Sequence, residues 1–256
     1  MTVMEPRVAQ RRKTVSEDRA RKRLKWILVV IVLIGLVAGT LWLIRSPILS
    51  IRQIDVLGAE LTDPRGAVRA LDMDIGTPTI DVDGDAITTA ILEDPWVKSA
   101  TVEIIWPGSL AIEVSERTPV APVQSGERWV LASDDAVVIM AVGDPTADDA
   151  AVAIDQGSLE PGEVITDSAA VGALLFIDRL SVERRAGTRI HTEGDGLVAQ
   201  VAGYTVRLGR PVDMGQKASV LDALLDSGIP EGATIVLIAP LRPAVTNPQP
   251  EVEAEE

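Results

Sequence analysis

Cysteine is absent from these 256 residues, so no disulfide staples the fold and no thiolate is available as a nucleophile or zinc ligand. Histidine occurs once, at His191, and without cysteine a single imidazole cannot complete a zinc site; a turn or surface position accounts for it. Aromatic residues make up 3% of the chain, which argues against a ring-lined groove for sugars or bases. None of the lysines (Lys13, Lys22, Lys25, Lys98, Lys217) has a serine three residues before it, so the Ser-x-x-Lys signature of penicillin-binding enzymes is missing. No Gly-x-Ser-x-Gly elbow occurs either. Asp81-Val-Asp83-Gly-Asp85 has the look of a calcium loop, but its twelfth position is Leu92 where an EF-hand needs glutamate. Capping of the following helix by Asp83 or Asp85 is the better reading. The expectation is a protein that is not an enzyme and holds no cofactor or metal.

What the chain does have is Trp26–Ile44, nineteen residues without a charged side chain. As a helix the run covers about 28 Å, close to the roughly 30 Å hydrocarbon core of a bilayer. Trp26 and Trp42 lie near its ends, where indole rings favour the headgroup level. Gly35 and Gly39 match a small-xxx-small packing pattern, or are simply glycines that a span tolerates. A cleaved secretory signal is the competing reading; the basic stretch and apolar run are both long for one, and no small-x-small cleavage site follows. Residues 1–25 hold nine basic and three acidic side chains, a charge of +6, which leaves −20 for the rest of the −14 chain. Positive-inside bias therefore places the N-terminus in the cytoplasm and everything after Arg45 outside. The basic tail is either a topology signal or a rest on anionic lipid. An acidic exterior portion speaks against nucleic acid as a partner.

Beyond the span, Ile51–Val56 reads as a strand ended by Leu57-Gly58. Asp63-Pro64 opens a short helix, and a second helix starts near Asp83–Asp85 and carries Ile87, Ala90 and Ile91 at helical spacing. Val97–Trp106 and Ser109–Glu116 alternate as strands around Pro107-Gly108, with Val102, Ile104 and Trp106 expected on one face of the first and Leu110, Ile112 and Val114 on one face of the second. Order β-α-α-β-β makes a small α+β domain. A second region starts at Thr118-Pro119. It has a strand pair at Trp129–Leu131 and Val137–Met140, a helix capped by Thr166-Asp167, a hairpin at Leu197–Val201 and Tyr204–Leu208, and a helix capped by Asp213 with Gly228 past its end. Thr234–Ala239 is the last apolar strand, and the proline-rich, acidic 241–256 reads as disordered.

Trp106-Pro107-Gly108-Ser-Leu-Ala-Ile-Glu-Val-Ser-Glu116-Arg117-Thr-Pro119-Val120-Ala121 resembles the WP…L.I.V.ER.PVA passage of the FtsQ/DivIB family of bacterial cell-division proteins, in its actinobacterial form. Gly76…Ile80-Asp81-Val-Asp83 is similar to that family's G.pL..vD segment, and Val206-Arg-Leu208-Gly209 with Lys217 to its late LG…K segment. Ser133-Asp134-Asp135 stands where the family tends to have an Asp-x-x-Gly turn. The resemblance implies a cytoplasmic tail (1–25), a transmembrane helix (26–44), a POTRA domain (48–118), a β domain (119–240) holding a mixed sheet with two helices, and a tail (241–256). It implies a non-enzymatic, single-pass scaffold at the division septum, type II in topology, that binds FtsB and FtsL, small single-span coiled-coil proteins, and links early division proteins to septal peptidoglycan synthesis. Other readings are a membrane-anchored regulator of a wall enzyme and an envelope-assembly POTRA chaperone. For the partner strand the resemblance points to Thr234, Ile235, Val236, Leu237, Ile238 and Ala239 at a sheet edge; the continuous apolar run by itself fits a central strand equally well.

Overall fold

The apolar run is the C-terminal half of one helix, α1 (Pro6–Ile44), in a computed structural model that describes residues 6–246, with side chains from Leu24 onward. Its segment Leu24–Ile44 is 21 residues, long and apolar enough to cross a membrane, and is not buried by the rest of the chain. Trp26 and Trp42 stand out from it, and the Gly35 and Gly39 face has open space above it. Most of the basic tail lies outside the described side chains.

Two compact units follow from the way the chain folds back on itself: the described residues up to 56, with 65–87 and 102–112, form one, and residues 57–64, 88–101 and the described ones from 113 onward the other. The strands β1 (Gln53–Leu57), β2 (Val97–Ile105) and β3 (Ser109–Glu116) make a three-stranded sheet in the order β1-β3-β2. Alternation in β3 comes out as the sequence predicts, with Leu110, Ile112 and Val114 buried. In β2 it comes out only partly: the strand stops at Ile105, Val102 and Ile104 are half-buried, and Trp106 faces solvent. The helices α2 (Pro64–Ala70) and α3 (Gly84–Leu92) bury Val68, and Ile87 with Ile91. Asp83 is the cap of α3, its Oδ1 accepting from the N–H of Asp85 (3.0 Å) and of Ala86 (3.0 Å), so the acidic cluster closes a helix end.

The second unit is built on a nine-stranded mixed sheet. Its strands are β4 (Pro119–Ser125), β5 (Arg128–Ser133), β6 (Val138–Val142), β7 (Ala151–Ala153), β8 (Arg189–Glu193), β9 (Gly196–Val201), β10 (Tyr204–Gly209), β11 (Thr234–Val236) and β12 (Ala244–Thr246), ordered β12-β11-β10-β9-β8-β7-β4-β5-β6. The expected β5–β6 and β9–β10 hairpins are present. Four strands, β4, β7, β8 and β12, have no clear sequence signal. In β4, Pro119 and Pro122 read as loop; they are accommodated because β7 pairs with β4 only at Val123, leaving the earlier part with one neighbour. β7 and β12 are three residues each.

The helices α4 (Ser168–Arg179) and α6 (Met214–Asp226) pack on the sheet, with a single turn, α5 (Val182–Arg185), between them. The core joins Phe176, Ile177 and Leu221 from the helices to Val123, Ile190, Leu197, Ala199, Val206 and Ile235 from the strands. Asp167 caps α4 as expected, accepting from Ala169 N (3.0 Å) and Ala170 N (2.9 Å). Asp213 does not cap α6 with its side chain: its backbone is left-handed (φ 55), and only its carbonyl contributes, accepting from Lys217 N (2.9 Å).

Candidate partner-binding edge

Thr234–Ala239 splits into two stretches with different surroundings. Thr234–Val236 form β11, which pairs in parallel with β10 on one side (Thr205↔Thr234, Val206↔Ile235, Arg207↔Val236) and antiparallel with β12 on the other (Ile235↔Val245). Its backbone is therefore taken up on both sides, and Ile235 is fully buried. Past the strand, Leu237 N still donates to Arg207 O (2.8 Å) and the Leu237 side chain is buried, whereas Ile238 is exposed and Ala239 O accepts from Arg242 N (3.0 Å) in the turn that sends the chain back. The predicted edge strand is thus second from the edge. Residues 241–256, expected to be disordered, include the strand that covers it, β12; the turn at Pro240–Pro243 returns the chain antiparallel along β11. Residues 247–256 lie outside the described residues.

Among the described residues, the open edge is β12. All three of its residues are exposed, Val245 to 40%, and none is charged. An uncharged strand with one free side offers unpaired N–H and C=O groups for a further strand. The other end of the sheet differs. Along β6, Val138 N donates to Glu163 O (2.9 Å), Gly162 N donates to Val138 O (2.8 Å), and Val137 bridges Val164, so the 162–164 loop covers its start.

Lys217, from the LG…K segment, shapes the neighbourhood of that edge. It is buried, and its Nζ donates to the carbonyls of Leu208 (2.7 Å) and Arg210 (2.8 Å), holding the end of β10. Desolvation pushes its pKa down, and Asp213 opposes that. Between the two carbonyls lies Gly209 at φ +66, where a Cβ would come within 3.1 Å of the Ile238 side chain. Glycine and lysine together let the chain after β11 lie against the end of β10. A groove of about 310 Å³ opens there, lined by Glu193, Arg207, Arg210 and Ile238 among others.

The Glu116-Arg117 pair of the WP…ER.PVA passage binds backbone. Glu116 Oε1 accepts from the N–H groups of Glu60 (3.0 Å), Leu61 (2.9 Å) and Thr62 (2.9 Å) and from Thr62 Oγ1 (2.8 Å). Desolvation raises its pKa, and these donors more than offset that, leaving it below the usual carboxylate value. Arg117 donates from Nη1 to Pro95 O (2.9 Å) and Val97 O, and from Nε to Asp135 (3.1 Å), while its own N–H reaches Trp96 O (2.8 Å). Asp135 in turn accepts from Ser133 Oγ (2.6 Å), and Lys98 pairs with Asp134 (2.7 Å). Burial pushes the Asp135 pKa up; the Ser133 hydroxyl and the Arg117 guanidinium hold it down. Ser133-Asp134-Asp135, the departure from the family turn, is thus where the second unit receives Arg117 and Lys98. All of these residues lie within that unit. Among the described residues no group of three or more His, Cys, Asp or Glu is placed to hold a metal.

Residues 49–117 match the family model described as a POTRA domain, FtsQ-type. The chain is similar to the cell division protein FtsQ of Streptomyces coelicolor, 30% identical over 138 residues that cover 51% of this chain and 52% of that one. It is 36% identical over 91 residues to the cell division protein FtsQ of Corynebacterium glutamicum, covering 36% of this chain and 40% of that one. With the cell division protein FtsQ of Rhodothermus marinus the identity is 34% over 120 residues, covering 46% and 43%. The chain thus spans about half the length, or less, of the curated relatives it matches.

Proposed function

The chain belongs to the FtsQ/DivIB family of bacterial cell-division proteins, and from that premise we propose that it is a non-enzymatic, single-pass scaffold of the divisome. Its N-terminus lies in the cytoplasm and its C-terminal part outside, at the septum, as the charge step across Trp26–Ile44 favours. The POTRA domain (48–118) contributes to recruitment. The β domain (119–240), together with β12, holds a small coiled-coil pair of the FtsB–FtsL type, so that septal peptidoglycan synthesis is assembled at the division site.

The observation that carries this reading is the bare edge at β12. A segment of the FtsB-type partner adds there as a tenth strand, and backbone hydrogen bonds supply affinity where the edge offers few side chains. The sequence-based expectation placed contact on Thr234–Ala239; the proposal moves the backbone contact one strand outward and keeps exposed Ile238 beside it. Depletion of the protein in its host tests the function. Cells should elongate into undivided filaments or branches, and normal division after complete loss contradicts the scaffold role.

A further inference from the structure

Eight residues separate the apolar helix from β1, and they are packed rather than free. Ser46 caps the 3-10 turn Pro47–Leu49, Leu49 N donates to Ser46 O (2.9 Å), and Ser46, Ser50 and Ile51 are buried. Two other segments are fastened to this collar. Thr79 Oγ1 lies within donating distance of Leu49 O (2.7 Å) and Pro107 O (3.1 Å). Arg52 N donates to Gly108 O (2.8 Å), Ile51 N to Thr77 O (2.8 Å), and Ser50 bridges Pro78. A Cβ at Gly108 would stand 2.3 Å from Ser50 O, so only glycine allows the β2–β3 turn to approach this closely.

Each of the three fastened segments carries an exposed large apolar side chain beside its fastening residue: Ile48 (61%), Ile80 (55%) and Trp106 (58%). Hydrogen bonds hold together the three segments that carry these exposed side chains, the condition for one apolar patch over scattered residues. The first of them is four residues past the end of α1, so the chain sets it at most about 14 Å beyond Ile44. The headgroup layer on each side of a bilayer is about 5–8 Å deep. Exposed Arg45 and Arg52 flank the collar, suited to lipid phosphates, and Trp is the side chain that favours this depth. Asp81 adjoins Ile80, so the patch is an apolar seat with two basic flanks and not a polybasic clamp.

We infer that Ile48, Ile80 and Trp106 seat the first unit in the headgroup layer of the membrane that α1 crosses, the bound surface being lipid. The inference rests on the reading of α1 as a membrane span. Because the chain has no cysteine, single cysteines can report on each site. The full-length protein is reconstituted in phosphatidylcholine–phosphatidylglycerol nanodiscs and labelled with a fluorophore at Ile48→Cys or Ile80→Cys. A label at Leu33→Cys marks the span, and one at exposed Asp55→Cys marks water. Lipids carrying a nitroxide at a shallow acyl position should quench the Ile48 and Ile80 labels at least threefold more than the Asp55 label. Loss of the fluorescence difference between wild type and Trp106→Phe under the same quencher provides an independent readout. Quenching at Leu33 with Ile48, Ile80 and Trp106 behaving like Asp55 overturns the seat and leaves the span intact. Absence of quenching at Leu33 overturns the span itself, and the seat with it.

Discussion

Arg117 keeps the carbonyls of Pro95 and Val97 and the carboxylate of Asp135, from two chain segments, around one guanidinium, and its side chain is only 15% exposed. Lysine carries the same charge but cannot present a planar fork to a carboxylate and two carbonyls at once. Arg117→Lys should therefore lower stability by about 1–3 kcal/mol, read as a shift in the urea midpoint with an unchanged slope. Glu116 gives a pH-dependent counterpart. Its folded pKa is below the free value of 4.5, so its contribution is complete above that value and is lost as pH falls through the folded pKa. Glu116→Gln should cost about 1–2 kcal/mol at pH 7, and its stability should converge with that of the wild type in acid, where both side chains are neutral. A constant gap from pH 7 to pH 2 would show that the charge is not what the Glu60–Thr62 N–H groups hold. These two residues are visible in the sequence as part of a motif; their bonds are not, because the partners are 18 to 56 positions away.

At the scale of elements, β11 and β12 carry opposite expectations. Ile235 is buried between two paired strands, and Ile235→Asp should destabilise the fold by more than about 3 kcal/mol. Val245→Lys, on the exposed edge, should change stability by no more than about 0.5 kcal/mol and yet weaken strand addition, since edge lysines block further pairing. Thermal unfolding of both variants, with partner pull-down for the second, separates fold from binding. Why the residues alone leave the edge open, and the resemblance points one strand too far in, follows from the same pair. β11 is β-branched, apolar and followed by proline, a full strand signal, whereas Ala244-Val-Thr246 is three residues among prolines and too short to show alternation. β4 was missed for a related reason, its two prolines being tolerated only because one side of it is free there. Caps and hairpins were legible because their chemistry is local: Asp83, Asp167 and the Ala202-Gly203 turn all lie where spacing predicts. Asp213 shows the limit, since its left-handed backbone, which keeps its side chain from capping α6, leaves no trace in residue type.

For the molecule as a whole, the division of labour follows charge and apolarity along the chain. In the proposed topology a +6 tail, an apolar helix and a −20 remainder orient the protein across a membrane; the proposed seat of three apolar side chains follows the span in sequence, and β12 ends the nine-stranded sheet among the described residues. On the proposed function, this strand takes the partner. A photo-crosslinking amino acid placed in cells at Val245, with Met140 on the β6 side for comparison, tests it most directly. Capture of a small single-span coiled-coil membrane protein from Val245 and not from Met140 is the predicted result. Capture from Met140 alone, or from neither position in dividing cells, would contradict it.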